Sequence, residues 1–253
     1  MRLYRYMKYD EFENAYLNKY FKFRYSEVWE DSLESLFVKY ASKIQNCKEL
    51  IEIYKKRYPD MPNNEIFTDI TNIVALSLQT RCQCWSTNGN SDTFWGYNND
   101  YICLGVECVN SNEIINDFKV KGHDIKYIEN VDINKIVDYF GNDRYLSSLQ
   151  IVKDKSKYEE EEEFRLVATP INPIFPQKMH MFNFDEMAKN NNKLVRAIVD
   201  YTKWVRKTVL CPHDTFLKLS NMKVVSIRVH PNMSPKTAKK FNRFCEKYFI
   251  NFN

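Results

Sequence analysis

The residues best equipped for chemistry lie between Glu159 and Arg165, where five consecutive glutamates run into Phe164-Arg165-Leu166-Val167. Like charges repel and normally stay in a solvated loop. Here the run ends in an apolar, strand-forming segment. Read as a strand over 161–168, alternation sets Glu161, Glu163, Arg165 and Val167 on one face. Glu162, Phe164, Leu166 and Ala168 take the other, and Phe164 and Leu166 call for a core. The first face then presents two carboxylates and a guanidinium. At the mouth of a cleft, Arg165 can orient one carboxylate while a neighbour shifts its pKa. The competing and commoner outcome of such spacing is a solvated edge with Glu–Arg pairing of little energetic weight.

Other reactive residue types carry weaker signals. Cys82-x-Cys84 is tighter than a zinc knuckle. Its spacing puts both thiols on one strand face, where buried cysteines are common. His123, His180, His213 and His230 are scattered, without ligand spacing, so no metal is expected. Trp85, Phe94, Trp95 and Tyr97 bracket the turn "TNGNSD". They can stack a planar ligand, though composition favours core packing. The segment from Lys193 to Lys207 carries five basic residues at helical spacing. With Asp200 among them, it reads as an amphipathic helix before it reads as a nucleic-acid contact. The five glycines are dispersed and form no phosphate loop.

The elements that must position these residues follow from hydrophobic period. "RLYRYM" (2–7) reads as a strand, "DEFENAYL" (10–17) as a helix and "KYFKFRY" (19–25) as a second strand. "SLESLFVKYASKIQ" and "CKELIEIYKKRYP" have helical spacing. Ile66, Ile70, Ile73, Val74 and Leu76 form one broad stripe of a buried helix. "RCQCWS" and "YICLGVECV" are strands flanking the turn-rich linker "TNGNSDTFWGYNND". "HDIKYIENV" is a strand, followed by a helix from Asp132 to Phe140. "SLQIVKD" and "EFRLVAT" are strands around the acidic run, "INPIFPQ" is a loop, and the stretch from Phe184 is mostly helix. "KVVSIRV" is a strand, Ser234-Pro235 caps and starts a helix, and "KYFINF" closes as a strand. The expectation is an α+β fold: a mixed, mostly antiparallel sheet with peripheral helices, in one domain over 1–253.

The bulk numbers bound the rest. A chain of 253 residues that is 44% hydrophobic can bury a real core. A net charge of +4, from 37 basic and 33 acidic residues, does not by itself direct the chain to nucleic acid. No apolar run nears the roughly 20 residues of a membrane span, and "MRLYRYMKYDEF" lacks a signal-peptide core. Seven cysteines fit reduced thiols. Together these predict a cytoplasmic protein without a membrane partner. The oligomeric state stays open.

Several of these stretches, in order, resemble a large and mostly uncharacterised bacterial domain family found among abortive-infection and phage-defence genes, with AbiGi-like proteins nearby. Leu3-Tyr4-Arg5-Tyr6 is similar to its opening L-Y-[KR]-Y. Glu27 to Glu34 is similar to S-E-F-N-D-P-F-E, keeping Asp31 and Glu34. Cys84-Trp85-Ser86 with Phe94-Trp95-Gly96-Tyr97 resembles a serine-rich strand followed by M-W-x-H-Y. Tyr158, Glu161, Glu163, Phe164 and Arg165 resemble W-x-x-E-x-E-W-R, and Ile227 to Pro231 its closing strand. More distantly the layout resembles ADP-ribosyltransferases, which implies a split sheet and NAD as substrate. By that resemblance Arg5 holds the NAD diphosphate, Tyr25 or Ser26 is the second-strand residue, and Glu163, or less favourably Glu161, is the catalytic acid. Tyr4, Tyr25 or Trp95 stacks nicotinamide. The implied role is a phage-defence or toxin-type effector that transfers ADP-ribose to a macromolecular acceptor. The alternative is a non-catalytic module that binds a phage or host protein.

Overall fold

A computed structural model describes residues 1–25, 36–108, 112–130, 132–140, 151–173, 183–209 and 214–250. The chain opens with strand β1 (Arg2–Met7), helix α1 (Tyr9–Asn18) and strand β2 (Tyr20–Phe23). Helices α2 (Leu36–Ala41), α3 (Ile44–Arg57) and α4 (Asn63–Gln79) follow. Next come β3 (Arg81–Ser86), the short α5 (Asp92–Tyr97) and strands β4 (Ile102–Cys108), β5 (Asn112–Ile115), β6 (Phe118–Asp124) and β7 (Lys126–Ile128). Helix α6 (Ile133–Phe140), strand β8 (Val152–Asp154), the one-turn α7 (Lys155–Tyr158) and a 3₁₀ turn (Glu159–Glu161) lead into β9 (Glu163–Pro170). Helices α8 (Phe184–Lys189) and α9 (Asn191–Val209), strands β10 (Thr215–Lys218) and β11 (Met222–Val229), and α10 (Pro235–Tyr248) complete the chain. The fold is α+β, as the interspersed strand and helix patterns predict.

The main sheet has seven strands in the order β11-β4-β1-β3-β9-β6-β5, and its pairings are antiparallel. One feature of its register shapes the site. Strand β1 lies along β4 from Arg2↔Glu107 to Met7↔Ile102. Against β3 it registers only at Tyr4↔Ser86. Beyond Tyr4 the two strands part. Strand β2 pairs with β10 in a separate ribbon. Its end is tied to β3 by Arg24 N–H to Cys82 O (2.8 Å) and Cys82 N–H to Arg24 O (2.6 Å). The Gln83 side-chain amide adds a bond to Lys22 O at 3.2 Å.

Two large cores hold this frame. One face of the sheet carries Leu3, Trp85, Leu104, Phe164 and Leu166, packed with Phe12 of α1 and Phe241 and Phe244 of α10. Helices α3, α4 and α9 bury the other core, including Leu50, Tyr54, Ile66, Phe67, Ile70, Leu194 and Ile198. Their apolar residues recur at three and four positions, so each helix turns one stripe inward. Among the described residues, no helix is long and apolar enough to cross a membrane.

Four local expectations change. The strand expected over 161–168 begins at Glu163, because Glu159–Glu161 close a 3₁₀ turn and Glu162 takes φ 44°. The turn-rich linker holds α5, whose N-terminus Ser91 caps by accepting from the Phe94 N–H. Lys247 and Tyr248 of "KYFINF" belong to α10 and not to a strand, and its Asn251 and Phe252 lie outside the described residues. Phe241, Phe244, Cys245 and Tyr248 have helical spacing, and the Phe244 and Tyr248 rings meet at 4.8 Å. Strand β10 and the β5–β6 hairpin have no counterpart in the periodicity reading.

Candidate functional site

Two charged assemblies flank β3. The first gathers the residues at the end of the glutamate run. The left-handed Glu162 reverses the chain there. The reversal is fastened to the end of β3 by Ser86 Oγ to Glu161 O (3.0 Å) and Thr87 N–H to Glu162 O (3.0 Å). Glu161 and Glu163 therefore converge, although they do not belong to one strand. Lys153 of β8 lies between them, 2.6 Å from Glu161 Oε2 and 2.7 Å from Glu163 Oε2. Arg165 Nε and Nη2 both reach Glu163 Oε1, at 2.7 and 2.6 Å. The Tyr97 hydroxyl donates to Glu161 Oε1 at 2.6 Å, and the Glu163 N–H donates to the Tyr127 hydroxyl at 2.7 Å.

This cluster is dry and neutral. The Glu163 and Arg165 side chains are 1% and 0% exposed. Burial alone pushes the Glu163 carboxyl up, but Arg165, Lys153 and hydrogen bonds from Cys84 and Lys153 outweigh it and hold the group well below the usual carboxylate range. Lys153 is desolvated too, yet Glu163 and its other neighbours draw its pKa above the ordinary value. Burial, with the bond to Glu161, raises the Tyr97 hydroxyl. The sequence expectation of a solvated Glu–Arg edge is thus corrected: the pair is buried, and Lys153 supplies a second cation between the two carboxylates.

The second assembly is a cleft of about 440 Å³ where β1 and β3 part. Had the pairing continued, Cys84 would face Tyr6. Instead the Arg5 guanidinium enters the gap and donates through Nη1 to Cys84 O at 2.6 Å. Burial lowers the Arg5 pKa, and Glu11 opposes that shift. The lining includes Arg5, Lys8, Lys22 and Arg24 against Asp10 and Glu11, four cations to two carboxylates. Glu11 of α1 is shared among three of them, at 3.9 Å from Arg5 Nη2, 3.9 Å from Lys22 Nζ and 3.6 Å from Arg24 Nη2. Lys22 also pairs with Asp214 at 2.7 Å.

Cys84 touches both assemblies. Its carbonyl takes the Arg5 bond, and its thiol is hydrogen-bonded to Glu163. Among the described residues that line the cleft are Arg5, Cys82, Cys84, Tyr6 and Tyr101, but not Glu163, Glu161 or Arg165. Nor do the three expected stacking residues line it. Tyr4 packs against Gly89 and Gly105 under Arg228, whose guanidinium is 5.8 Å from the ring centre. Trp95 meets Tyr6 edge-on at 4.8 Å and His230 at 5.5 Å. The Tyr25 ring lies 5.5 Å from the Arg81 guanidinium. Ser26 lies outside the described residues.

Sequence reasoning missed Lys153, Glu11 and Lys22. A signal existed for Lys22: "KYFKFRY" alternates, with Phe21 and Phe23 buried and Lys22 and Arg24 on the opposite face. Lys153 stands between Val152 and Asp154 in β8, and its spacing carries no such signal. Among the described residues, no group of three or more His, Cys, Asp or Glu is placed to hold a metal ion. Comparison of the chain with protein-family models, with curated proteins and with solved structures finds no match.

Proposed function

We propose that this protein is a cytoplasmic, bacterial defence-type or toxin-type effector that binds NAD, with the dinucleotide's diphosphate in the cleft that Arg5 lines. One observation carries the reading. The Arg5 guanidinium is fixed by Cys84 O on one side and stands with Lys22 and Arg24 in a concave, cation-rich space. Pre-positioned guanidinium and ammonium groups are the usual donors to phosphate oxygens. The bacterial defence role rests on the resemblance in sequence order.

In the transferase form of this reading, the nicotinamide–ribose bond breaks and nicotinamide leaves with its electron pair. A nucleophile of a macromolecular acceptor then bonds to the ribose carbon. A carboxylate near the ribose favours the oxocarbenium-like transition state. The resemblance offers Glu163 for that role; it does not line the cleft, and to act there it must exchange Lys153 for a ribose hydroxyl. The second reading is a non-catalytic module that binds a phage or host protein. It is favoured by the 1% exposure of the Glu163 side chain and by cations on both of its oxygens.

Incubation of purified protein with NAD labelled on the adenylate half, together with cell lysate, tests both. We expect NAD to be retained in equilibrium dialysis and Arg5→Gln to weaken retention by about tenfold or more, the loss of one charge-assisted contact. Transferred label with released nicotinamide supports the transferase. A stable stoichiometric complex in pulldown, with no NAD loss, supports the second reading. Wild-type protein that retains no NAD at millimolar ligand overturns the binding proposal.

A further inference from the structure

The three long contacts of Glu11 carry a consequence for the kind of ligand the cleft accepts. Hydrogen bonds from guanidinium or ammonium to carboxylate close at roughly 2.7–2.9 Å. Glu11 stands 3.6–3.9 Å from Arg5, Lys22 and Arg24, outside that range for all three. One carboxylate is therefore surrounded by three donors and bonded closely to none of them. Two of the donors have other side-chain partners, Arg5 at Cys84 O and Lys22 at Asp214, while the bridge from β2 to β3 fixes the Arg24 backbone.

We propose that Glu11 is a resident counter-ion at a phosphate site, and that a ligand phosphate takes its place among Arg5, Lys22 and Arg24. A phosphate presents more oxygens over a wider span than a carboxylate and carries more charge. It can meet three donors that one carboxylate leaves open. A singly charged carboxylate ligand gains little, because Glu11 already supplies that charge. The site thus selects for phosphate groups, with diphosphates above monoanions, and Glu11 sets the threshold. Glu11 also suits displacement. Its side chain is 28% exposed and it sits in the first turn of α1, from which it can swing to solvent. The proposal rests on reading the cleft as an anion site, but it does not require that the ligand be NAD.

The test is calorimetric titration of inorganic pyrophosphate, acetate and NAD into wild-type protein, Glu11→Gln and Arg24→Gln at low salt. Removing the resident charge strengthens attraction for an anion at this distance, so Glu11→Gln is expected to tighten pyrophosphate binding by about tenfold. Arg24→Gln is expected to weaken it severalfold, and acetate not to bind wild-type protein measurably. Pyrophosphate binding to Glu11→Gln that is equal to or weaker than wild type overturns the proposal, and so does unchanged binding to Arg24→Gln. If NAD binds while Glu11→Gln has no effect, this inference fails and the NAD reading stands. If pyrophosphate follows the expected order and NAD does not bind, the NAD reading fails and this inference stands. If no anion binds any form, both fail.

Discussion

The two charged assemblies beside β3 use the same residue types to opposite ends. Around Glu163, Lys153 and Arg165 close on two carboxylates at 2.6–2.7 Å, and the Glu163 and Arg165 side chains meet almost no water. Around Glu11, three cations stop at 3.6–3.9 Å in an open cleft. Paired and buried charges are already satisfied, and an incoming ligand must first break them apart. Half-paired charges at a concave surface have bonding capacity left over. The comparison shows that a conspicuous acidic run can be buried and closely paired while a less conspicuous basic strand keeps only long pairings to its carboxylate. Both outcomes follow from how far the fold lets the partners approach and how much water it leaves.

The sharpest way to break the comparison is to remove a cation from the dry cluster. Lys153→Met leaves Glu161 without a cation in the interior and Glu163 with Arg165 alone, and loss of one partner of a buried pair costs about 3–5 kcal/mol. Urea denaturation should show a loss of that size. A loss under about 1 kcal/mol would mean that water enters the cluster freely. Acid should separate the regions next. Glu163 is ionised to a lower pH in the folded protein than in the unfolded chain. It therefore contributes stability above its unfolded pKa of about 4.5, and that contribution is lost as pH falls through the lower folded value. Denaturation midpoints measured from pH 6 down to pH 3 should fall most steeply below about pH 4.5. A flat profile there would remove the case for the cluster. The smallest effect should come from the cleft. Glu11→Gln breaks only long, partly exposed pairings, so its stability should stay within about 1 kcal/mol of wild type, and the difference should shrink as salt is added. A larger loss would make Glu11 a structural residue like Glu163.

Much of the frame was legible. β1, β3, β4 and β11 lie where alternation puts them, and α3, α4 and α9 where helical stripes put them. Period signals fail where another rule takes over. α10 continues into the first two residues of the expected strand, where its aromatic residues pack against Phe12 and Tyr16 at helical spacing. The acidic run folds as a turn because Glu162 takes a left-handed backbone, which side-chain pattern does not announce. Of the candidate site, Arg5 was legible as a basic residue on the first strand, and Glu161, Glu163 and Arg165 as a cluster. The partners that decide what those residues do were not.

The sequence alone determined which residues share a strand face. Phe164 and Leu166 face the sheet core, opposite Glu163 and Arg165, and Phe21 and Phe23 lie opposite Lys22 and Arg24. These are local consequences of a two-residue repeat. Only the tertiary structure decided which charges meet. Lys153 reaches Glu163 from a strand outside the main sheet, and Arg5 finds Cys84, 79 positions away, because β1 and β3 pair at Tyr4↔Ser86 and then separate. Local periodicity carries no term for contacts between distant strands. The closeness of a cation, and the water left around it, is what makes one carboxylate buried and closely paired and leaves another half-paired in an open cleft.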